Sequence, residues 1–240
     1  MNILLEVFNK VLYQPLFNAL VLIYNYFPGN DFGIAVIVLT VLIRLALHPL
    51  MSQSLKSQRV MSDLQPKIKE VQNKFKDNKQ KQTEELLKIY QDAKINPISG
   101  FLPLLIQLPL LIALYQVFWK GLEPGAMSSL YGFVPNAGII NPSFLGLVNL
   151  SQASMLFAIL AGTVQFFQAK SMNPKTKQTG DSKTNQMANI MQKQMMYFLP
   201  FFTVMILLRL PAAIALYWIV TSLFSIMQQH FANKNYVESQ

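Results

Sequence analysis

The sequence predicts an all-α membrane protein, and three observations support that fold class. Hydrophobic residues make up 52% of the 240 residues, whereas charged residues make up only 13%, about half the share in soluble domains. The hydrophobic residues collect in runs of about twenty, the helix length that crosses ~30 Å of hydrocarbon. All 11 acidic residues fall outside these runs. We therefore expect a polytopic membrane protein.

Five transmembrane helices are predicted. The last apolar stretch is too long for one helix, and Pro211 divides it, because proline lacks a backbone donor and disfavours helix in the residue before it. The five predicted spans are residues 32–51, 98–119, 150–169, 195–210 and 212–230. The connecting segments are 52–97, 120–149 and 170–194, with a tail at 231–240.

Lysine and arginine residues predict the orientation. Ten of them lie in segment 52–97 and five in 170–193, whereas loop 121–149 has none. Basic loops stay on the cytoplasmic side, so we expect an external N-terminus and a cytoplasmic C-terminus in a bacterial cell membrane. The net charge of +9 is then a topology signal and does not predict DNA binding. The basic segments could still touch anionic lipid or ribosomal RNA.

Residues 1–31 contain a shorter apolar stretch, 16–27, which is bracketed by Pro15 and by Pro28-Gly29. Twelve residues are few for a span. A helix that lies in the outer interface, followed by a turn, fits this stretch better. A secretory signal peptide is the alternative, but the segment has no basic start and no small-residue cleavage site.

Segment 52–97 predicts a cytoplasmic helical hairpin. A helical stripe begins near Asp63, and Pro66 fits if a helix starts there, because first-turn amides have no intrahelical partner. Asp77-Asn78 predicts the turn. The stripe of the first helix is Leu64, Ile68, Val71 and Phe75, and that of the second is Thr83, Leu86, Leu87, Tyr90 and Ala93. The hairpin is either a solvated linker or an arm that meets a ribosome, partner or substrate.

Arg44 is the main candidate functional residue, because it lies inside the first apolar run. Its guanidinium keeps its charge, and a charge at the centre of a membrane helix costs ~2.5–3.5 kcal/mol. Arg44 therefore either snorkels to the surface or is held in water within the membrane, and the second arrangement would be a function. Arg209, beside Pro211, is expected to snorkel.

Catalytic chemistry is not indicated. Proton pumps and cation-coupled transporters usually place a carboxylate at membrane depth, and the predicted spans contain none. Neither an HExxH zinc motif nor a P-loop occurs, and there are no cysteines. His48 and His230 each stand at a span end without a second ligand. We expect no enzyme activity, no cofactor and no metal site.

Uncharged polar residues do enter the predicted spans. Membrane helices commonly use such residues for interhelical hydrogen bonds; alternatively, several of them converge on one wet surface around Arg44. They are Thr40, Gln107, Thr163, Gln165, Gln168, Thr203, Thr221 and Ser222, with Trp218 also in mid-span.

Several motifs together resemble one known family. Leu64–Gln72 is followed by Asn96–Pro109, and Ile43-Arg44-Leu45 precedes Pro49-Leu50. Tyr197-Phe198-Leu199-Pro200 and Pro211-Ala212, leading to Leu216-Tyr217-Trp218, complete the set. In this combination, over about residues 8–232, the chain resembles the YidC/Oxa/Alb membrane-protein insertases in their short form.

The resemblance implies five helices around a hydrophilic groove that opens to the cytoplasm and to lipid but is closed on the outer side. It implies an external interfacial helix at 8–27 and the cytoplasmic hairpin at 53–95. Arg44 matches the family's arginine, Gln165 and Trp218 match groove-lining positions, and Gln107 belongs to its Gln-x-Pro motif. Thr40 and Thr221 are the other expected groove residues.

The function implied is insertion of nascent membrane proteins from the cytoplasm into the bilayer without a through-pore. The partners implied are nascent membrane proteins and membrane lipids, with the ribosome and a Sec translocon left open; the short C-terminal tail weakens a ribosome-tethering role. Two alternatives stay open: a small-solute or anion transporter that uses Arg44 as its binding site, and an assembly factor whose hairpin only binds partners.

Overall fold

The computed structural model describes residues 2–27, 29–96, 102–123, 125–172 and 196–237. Most of the predicted cytoplasmic loop 170–194 lies outside these residues, as do residue 97, residues 98–101 of the second predicted span and the end of the tail. The chain divides into two compact units, residues 1–46 with 109–231 and residues 47–108 with 232–240. Each unit is described separately.

The described chain is mostly helical. It contains one short departure from the predicted all-α class, an antiparallel pair of strands in which Ser143 pairs with Asn149 and Phe144 with Val148. The helices are α1 (Asn2–Phe8), α2 (Gln14–Tyr26), α3 (Phe32–Ala46), α4 (His48–Lys74), α5 (Lys79–Asp92), α6 (Leu102–Lys120), α7 (Met155–Met172), α8 (Met196–Leu207) and α9 (Ala212–Val237), and the strands are β1 (Ser143–Phe144) and β2 (Val148–Asn149). A π-helical segment, Asn9–Tyr13, joins α1 to α2, and a 3₁₀ turn spans Ala126–Ser129.

The core of the first unit forms where α2, α3, α6, α7 and α9 bury one face each. Phe17, Leu20 and Val21 make the fully buried face of α2, so this helix is packed into the unit more deeply than an interfacial helix needs to be. The rings of Phe32 in α3 and Phe118 in α6 meet edge to face, with centroids 6.1 Å apart. Such aromatic pairs add to the stabilisation that burial provides.

Helices α7 and α8 approach closely because Gly162 has no side chain. A Cβ at this position would overlap the Val204 side chain and would lie 3.2 Å from the Pro200 carbonyl oxygen. Small residues let membrane helices pack with their backbones near each other. Apart from a narrow buried stripe that includes Thr203 and Leu207, α8 exposes large apolar side chains, as expected for a lipid-facing helix.

The segment 121–154 is fixed at the ends of three helices of this unit. Asn18 of α2 donates to the Ser129 carbonyl and accepts from the Tyr131 amide. The Asp31 carboxylate caps α3 through the Ile34 amide and also accepts from Leu145 N. The first amides of α9, at Ala212 and Ala213, donate to carbonyl oxygens of the same segment. The segment therefore holds the beginnings of α3 and α9 at a common end.

The second unit contains the predicted hairpin. Helices α4 and α5 pack together, and Gln82 Nε2 donates to the Gln72 carbonyl at 2.9 Å. The turn lies at the predicted place, because Asn78 is the N-cap of α5 and accepts from Lys81 N at 3.0 Å. Arg59 donates to the Ala232 carbonyl and so attaches the end of α9 to α4.

The predicted helix start near Asp63 is wrong. Helix α4 begins at His48, and Pro66 lies inside it. An internal proline costs about 3 kcal/mol, but packing of an apolar face can override such a local penalty, and Ile68 of this helix is buried. The first predicted span also contains a break: α3 ends at Ala46 and α4 begins at His48, with Pro49 in its first turn, where proline is favoured.

Helix length does not confirm five spans. In the described part of the chain, one helix, Ala212–Ala232, is long and apolar enough to cross a membrane, and a second passes if α3 and α4 count as one span. Helix α6 from Leu105 and helix α8 are apolar but shorter. The five-span topology and its orientation remain predictions.

Candidate functional site

Arg44 lies near the C-terminal end of α3 and is only 7% exposed. Tyr217 of α9, which is itself buried, lies within electrostatic range of the guanidinium. This placement does not fit the interpretation that Arg44 snorkels to the surface. Arg209, in contrast, is exposed in the turn between α8 and α9, as expected for a snorkelling side chain.

The common start of α3 and α9 explains how the Arg44 side chain can come near Tyr217. Both α3 and α9 begin at segment 143–152. At a rise of 1.5 Å per residue, Arg44 lies about 18 Å from the start of α3 and Tyr217 about 8 Å from the start of α9. Helical side chains lean toward the N-terminus of their own helix. The long arginine side chain is therefore expected to extend back toward the shallower tyrosine.

The neighbouring residue of α9, Trp218, reaches the third helix of the site. Its indole Nε1 donates to Gln165 Oε1 of α7 at 3.2 Å. Gln165 is buried on the face of α7 that also carries Ala158 and Ala161, and these small residues leave room for a neighbouring helix. Of two consecutive residues of α9, Tyr217 thus lies near Arg44 of α3 and Trp218 bonds Gln165 of α7, so the structure brings three of the predicted site residues, Arg44, Gln165 and Trp218, into one region.

The two predicted threonines stand one helical turn from these contacts. Thr40 is buried four residues before Arg44, and its hydroxyl donates to the Val36 carbonyl at 2.6 Å. Thr221 is buried four residues after Tyr217, and within the described residues its hydroxyl has no hydrogen-bond partner. An unpaired buried hydroxyl is costly, so Thr221 is available to a polar ligand or to water.

Sequence reasoning omitted Tyr217 from the site and named Ser222 only among the polar residues that could converge around Arg44. Ser222 is 1% exposed, and in the described part of the chain its hydroxyl is also unpaired. Its spacing of four from Trp218 is the signal that could have placed it beside the Gln165 contact. Tyr217 could have been found by the same spacing from Thr221.

The remaining candidates lie apart from this cluster or belong to the other unit. Gln107 is half-buried on the part of α6 in the second unit. Thr163 is exposed on α7 and bonds its own helix at the Ile159 carbonyl. Among the described residues, no group of three or more His, Cys, Asp or Glu side chains could hold a metal ion. The arrangement offers one buried cation with hydrogen-bonding groups beside it, which suits an anionic or polar partner.

The fold and this cluster define a helical membrane protein with a cation buried between its helices. The family model described as "60Kd inner membrane protein" matches residues 22–239. The chain therefore belongs to this family, the YidC/Oxa/Alb family that its motifs resemble.

Individual relatives and a solved structure agree with this assignment. The "Membrane protein insertase YidC" of Clostridium tetani is 33% identical over 217 residues, which cover 87% of this chain and 88% of the relative. The protein of the same name from Rickettsia felis is 30% identical over 232 residues, which cover 93% of this chain but 39% of the relative. The chain therefore spans about two fifths of the Rickettsia relative.

A crystal structure titled "Active YidC insertase crystal structure with the first transmembrane domain resolved" is similar to this fold. The TM-score is 0.58 at 26% identity, and the match covers 92% of this chain and 45% of that one. The similarity extends over most of the present chain. These comparisons do not favour the transporter alternative.

Proposed function

We propose that this chain is a membrane protein insertase that moves nascent membrane proteins from the cytoplasm into the bilayer through a positively charged groove, without a through-pore. The observation that carries the proposal is the buried Arg44, which lies within electrostatic range of Tyr217, the neighbour of Trp218 and its bond to Gln165. The similarity to proteins named as membrane protein insertases supports the same activity.

In the proposed topology, five spans surround the groove, the N-terminus is external and the C-terminus is cytoplasmic. The bonds from α2 and Asp31 to segment 121–154 support closure of the groove at the end where α3 and α9 begin. The lysine-free loop 121–149 supports an external position for that end. A groove closed at one end lets a polar segment enter without opening a path through the membrane.

The groove acts on the part of a substrate that the bilayer disfavours. A short hydrophilic segment with an acidic residue pauses near Arg44, where a contact between opposite charges is much stronger than in water. Thr40, Gln165, Trp218 and Thr221 provide hydrogen bonds to its polar groups, which lowers the cost of taking them out of water. The assignment of Gln107 to the groove is based on the Gln-x-Pro motif alone.

Release into lipid then completes the insertion. The apolar segment of the substrate slides out along the surface of the third and fifth spans, α7 and α9, and its burial in hydrocarbon provides the net driving force. The membrane potential adds to this force when the external segment carries an acidic residue. No cofactor and no covalent step is needed.

The proposed partners are nascent membrane proteins and membrane lipids, with the ribosome and a Sec translocon as further candidates. Hairpin α4–α5 is the proposed arm for such contacts, because it exposes many lysines. Deleting residues 60–95 tests this role: insertion of simple substrates should persist, whereas insertion of ribosome-bound chains should fall. If both persist equally, the hairpin is only a linker.

Substitution of Arg44 tests the central claim. Arg44→Ala in reconstituted vesicles should reduce insertion of a single-span substrate with an acidic tail by about tenfold or more, because each 1.4 kcal/mol of lost interaction is a factor of ten. Arg44→Lys should retain part of the activity, because the proposal needs the charge more than the planar guanidinium. Arg209→Ala is the matched control and should insert normally. Unchanged insertion by Arg44→Ala would remove Arg44 from the mechanism.

Site-directed crosslinking locates the substrate. Photoreactive side chains at positions 44, 165 and 218 should crosslink to a stalled nascent chain. Position 163, exposed on α7 away from Gln165, is the control and should give weaker crosslinks to the polar segment. Equal crosslinking from positions 163 and 165 would contradict the placement of the groove.

A further inference from the structure

A long part of this chain carries no charge. Residues 124–169 contain no Asp, Glu, Lys, Arg or His, and this stretch includes most of loop 121–154 and most of α7. A charge-free apolar helix is expected in a bilayer. A charge-free connecting loop is unusual, because about a quarter of residues in soluble domains are charged.

The same loop exposes large apolar side chains. We call Phe133, Ile139, Leu145 and Leu147 the apolar tips; they are 74%, 94%, 60% and 84% exposed. Two of them, Leu145 and Leu147, lie in the tight turn that connects β1 and β2. Contiguous exposed apolar surface marks a site of interaction with protein or membrane.

Contacts of the loop fix the height of these tips along the helices. The Phe144 ring rests against Gly33, where the missing Cβ leaves room for it, and Leu145 N donates to the Asp31 carboxylate. Gly33 lies in the first turn of α3, and Asp31 caps that turn from just before it, where the first apolar run begins. The tips of the β-hairpin therefore lie at the level where a membrane helix enters the hydrocarbon.

The other arm of the loop is held at the same end by α2. Asn25 Nδ2 donates to the Pro135 carbonyl at 2.7 Å, and the Tyr24 hydroxyl accepts from Asn141 N at 3.1 Å. These bonds bracket Ile139 on both sides along the chain. Its side chain remains outside the fold and is 94% exposed.

We propose that segment 131–148 lies in the interfacial layer of the bilayer and inserts its apolar tips into the acyl boundary of the lipid. Under the proposed orientation this is the outer leaflet. The segment has no lysine or arginine, so attraction to anionic headgroups does not contribute to its binding. Burial of apolar side chains in the interface alone provides the binding, and this binding is independent of the insertase activity.

Depth measurements test the proposal on the full chain in vesicles. The chain has no cysteine, so Leu147→Cys, Ile139→Cys and the control Ser128→Cys each give one site for an environment-sensitive NBD label. Ser128 is exposed and polar in the same loop. We expect blue-shifted emission and quenching by brominated lipid at positions 147 and 139, and quenching by aqueous iodide at position 128.

The lipid composition gives an independent measurement. Quenching at positions 147 and 139 should be the same in pure phosphatidylcholine vesicles and in vesicles that contain phosphatidylglycerol. Iodide accessibility at positions 147 and 139 equal to that at 128 would overturn the proposal. A requirement for phosphatidylglycerol would also overturn it, because the contact would then depend on charge.

Discussion

Loop 121–154 and the hairpin α4–α5 are both connections between apolar helices, yet they are held by different interactions. Beyond Glu123 the loop is uncharged, and side chains of α2 and α3 fix it from a distance in sequence. The hairpin is rich in lysine, and its side chains form mostly local, exposed hydrogen bonds. We therefore expect substitutions at the loop contacts to destabilise the fold more than substitutions in the hairpin.

The largest effect is expected from Gly33→Ala. The added Cβ would lie 2.7 Å from Phe144 Cβ and closer still to the ring, so the loop must move away from α3. Overpacking of this kind costs about 3 kcal/mol at the upper end of its usual range. Thermal unfolding in detergent measures the loss.

Gly132→Ala is the control for that experiment, because it lies in the same loop with no atom within 4 Å of the added Cβ. It should leave the unfolding temperature nearly unchanged. Equal effects of Gly33→Ala and Gly132→Ala would show that the Phe144 contact does not fix the loop.

A smaller loss is expected from Asn18→Ala. The Asn18 side chain is 4% exposed, donates to the Ser129 carbonyl at 3.2 Å and accepts from Tyr131 N at 2.6 Å. Its removal leaves both backbone groups without this partner, at a cost of about 2 kcal/mol. The midpoint of denaturant unfolding measures it, and Asn25→Ala, which removes one exposed bond, should cost less. A larger effect at Asn25 would contradict this ranking.

The corresponding substitution in the hairpin is Asn78→Ala. Asn78 caps α5 by accepting from Lys81 N, and loss of an N-cap costs about 1 kcal/mol. Because the cap is exposed, the loss should stay local, with faster hydrogen exchange in the first turn of α5 and little change in α3. Asn78→Asp keeps the acceptor oxygen and should preserve the protection. Faster exchange throughout the chain would mean that the hairpin is not an independent element.

Much of the architecture could be predicted, because it follows from local patterns. The helical class follows from the apolar runs, and Asn78 could be placed in a turn by its residue type. The effect of the prolines was harder to predict. Pro49 lies in the first turn of α4, whereas Pro66 lies inside the same helix. Whether a proline ends a helix depends on what packs around its ring. The apolar run of the first predicted span likewise gave no sign of the helix break at Leu47.

The candidate site was predictable to a different extent. Arg44 could be identified because its charge is misplaced in an apolar run, and Gln165 and Trp218 came from the resemblance. Tyr217 was missed, and Ser222 was listed without being assigned to the site, because a pattern on one helix does not show which neighbouring helix it meets. The apolar tips were missed for the same reason: loop residues become conspicuous only when the fold shows which of them remain exposed.

The smallest effect is expected at the exposed pair Glu85 and Lys88, whose nitrogen and oxygen are 2.7 Å apart. The hydrogen bond from Lys88, with its charge, holds the pKa of Glu85 below its ordinary value, and the same bond from Glu85 raises the pKa of Lys88. The Glu85 contribution to stability is therefore present above its unfolded pKa and is lost as pH falls through the lower folded pKa. The Lys88 contribution is lost as pH rises through its raised folded pKa.

An NMR titration of the glutamate side chains measures this pair directly. Lys88→Gln should return the pKa of Glu85 toward its ordinary value, and Lys81→Gln is the charge-matched control that should leave it low. Added salt should act in the same direction as Lys88→Gln, because exposed charges are screened, while the unfolding temperature stays nearly constant. A large drop in that temperature would mean that the exposed hairpin depends on this pair as strongly as the loop depends on its buried contacts, and the contrast between the two regions would then fail.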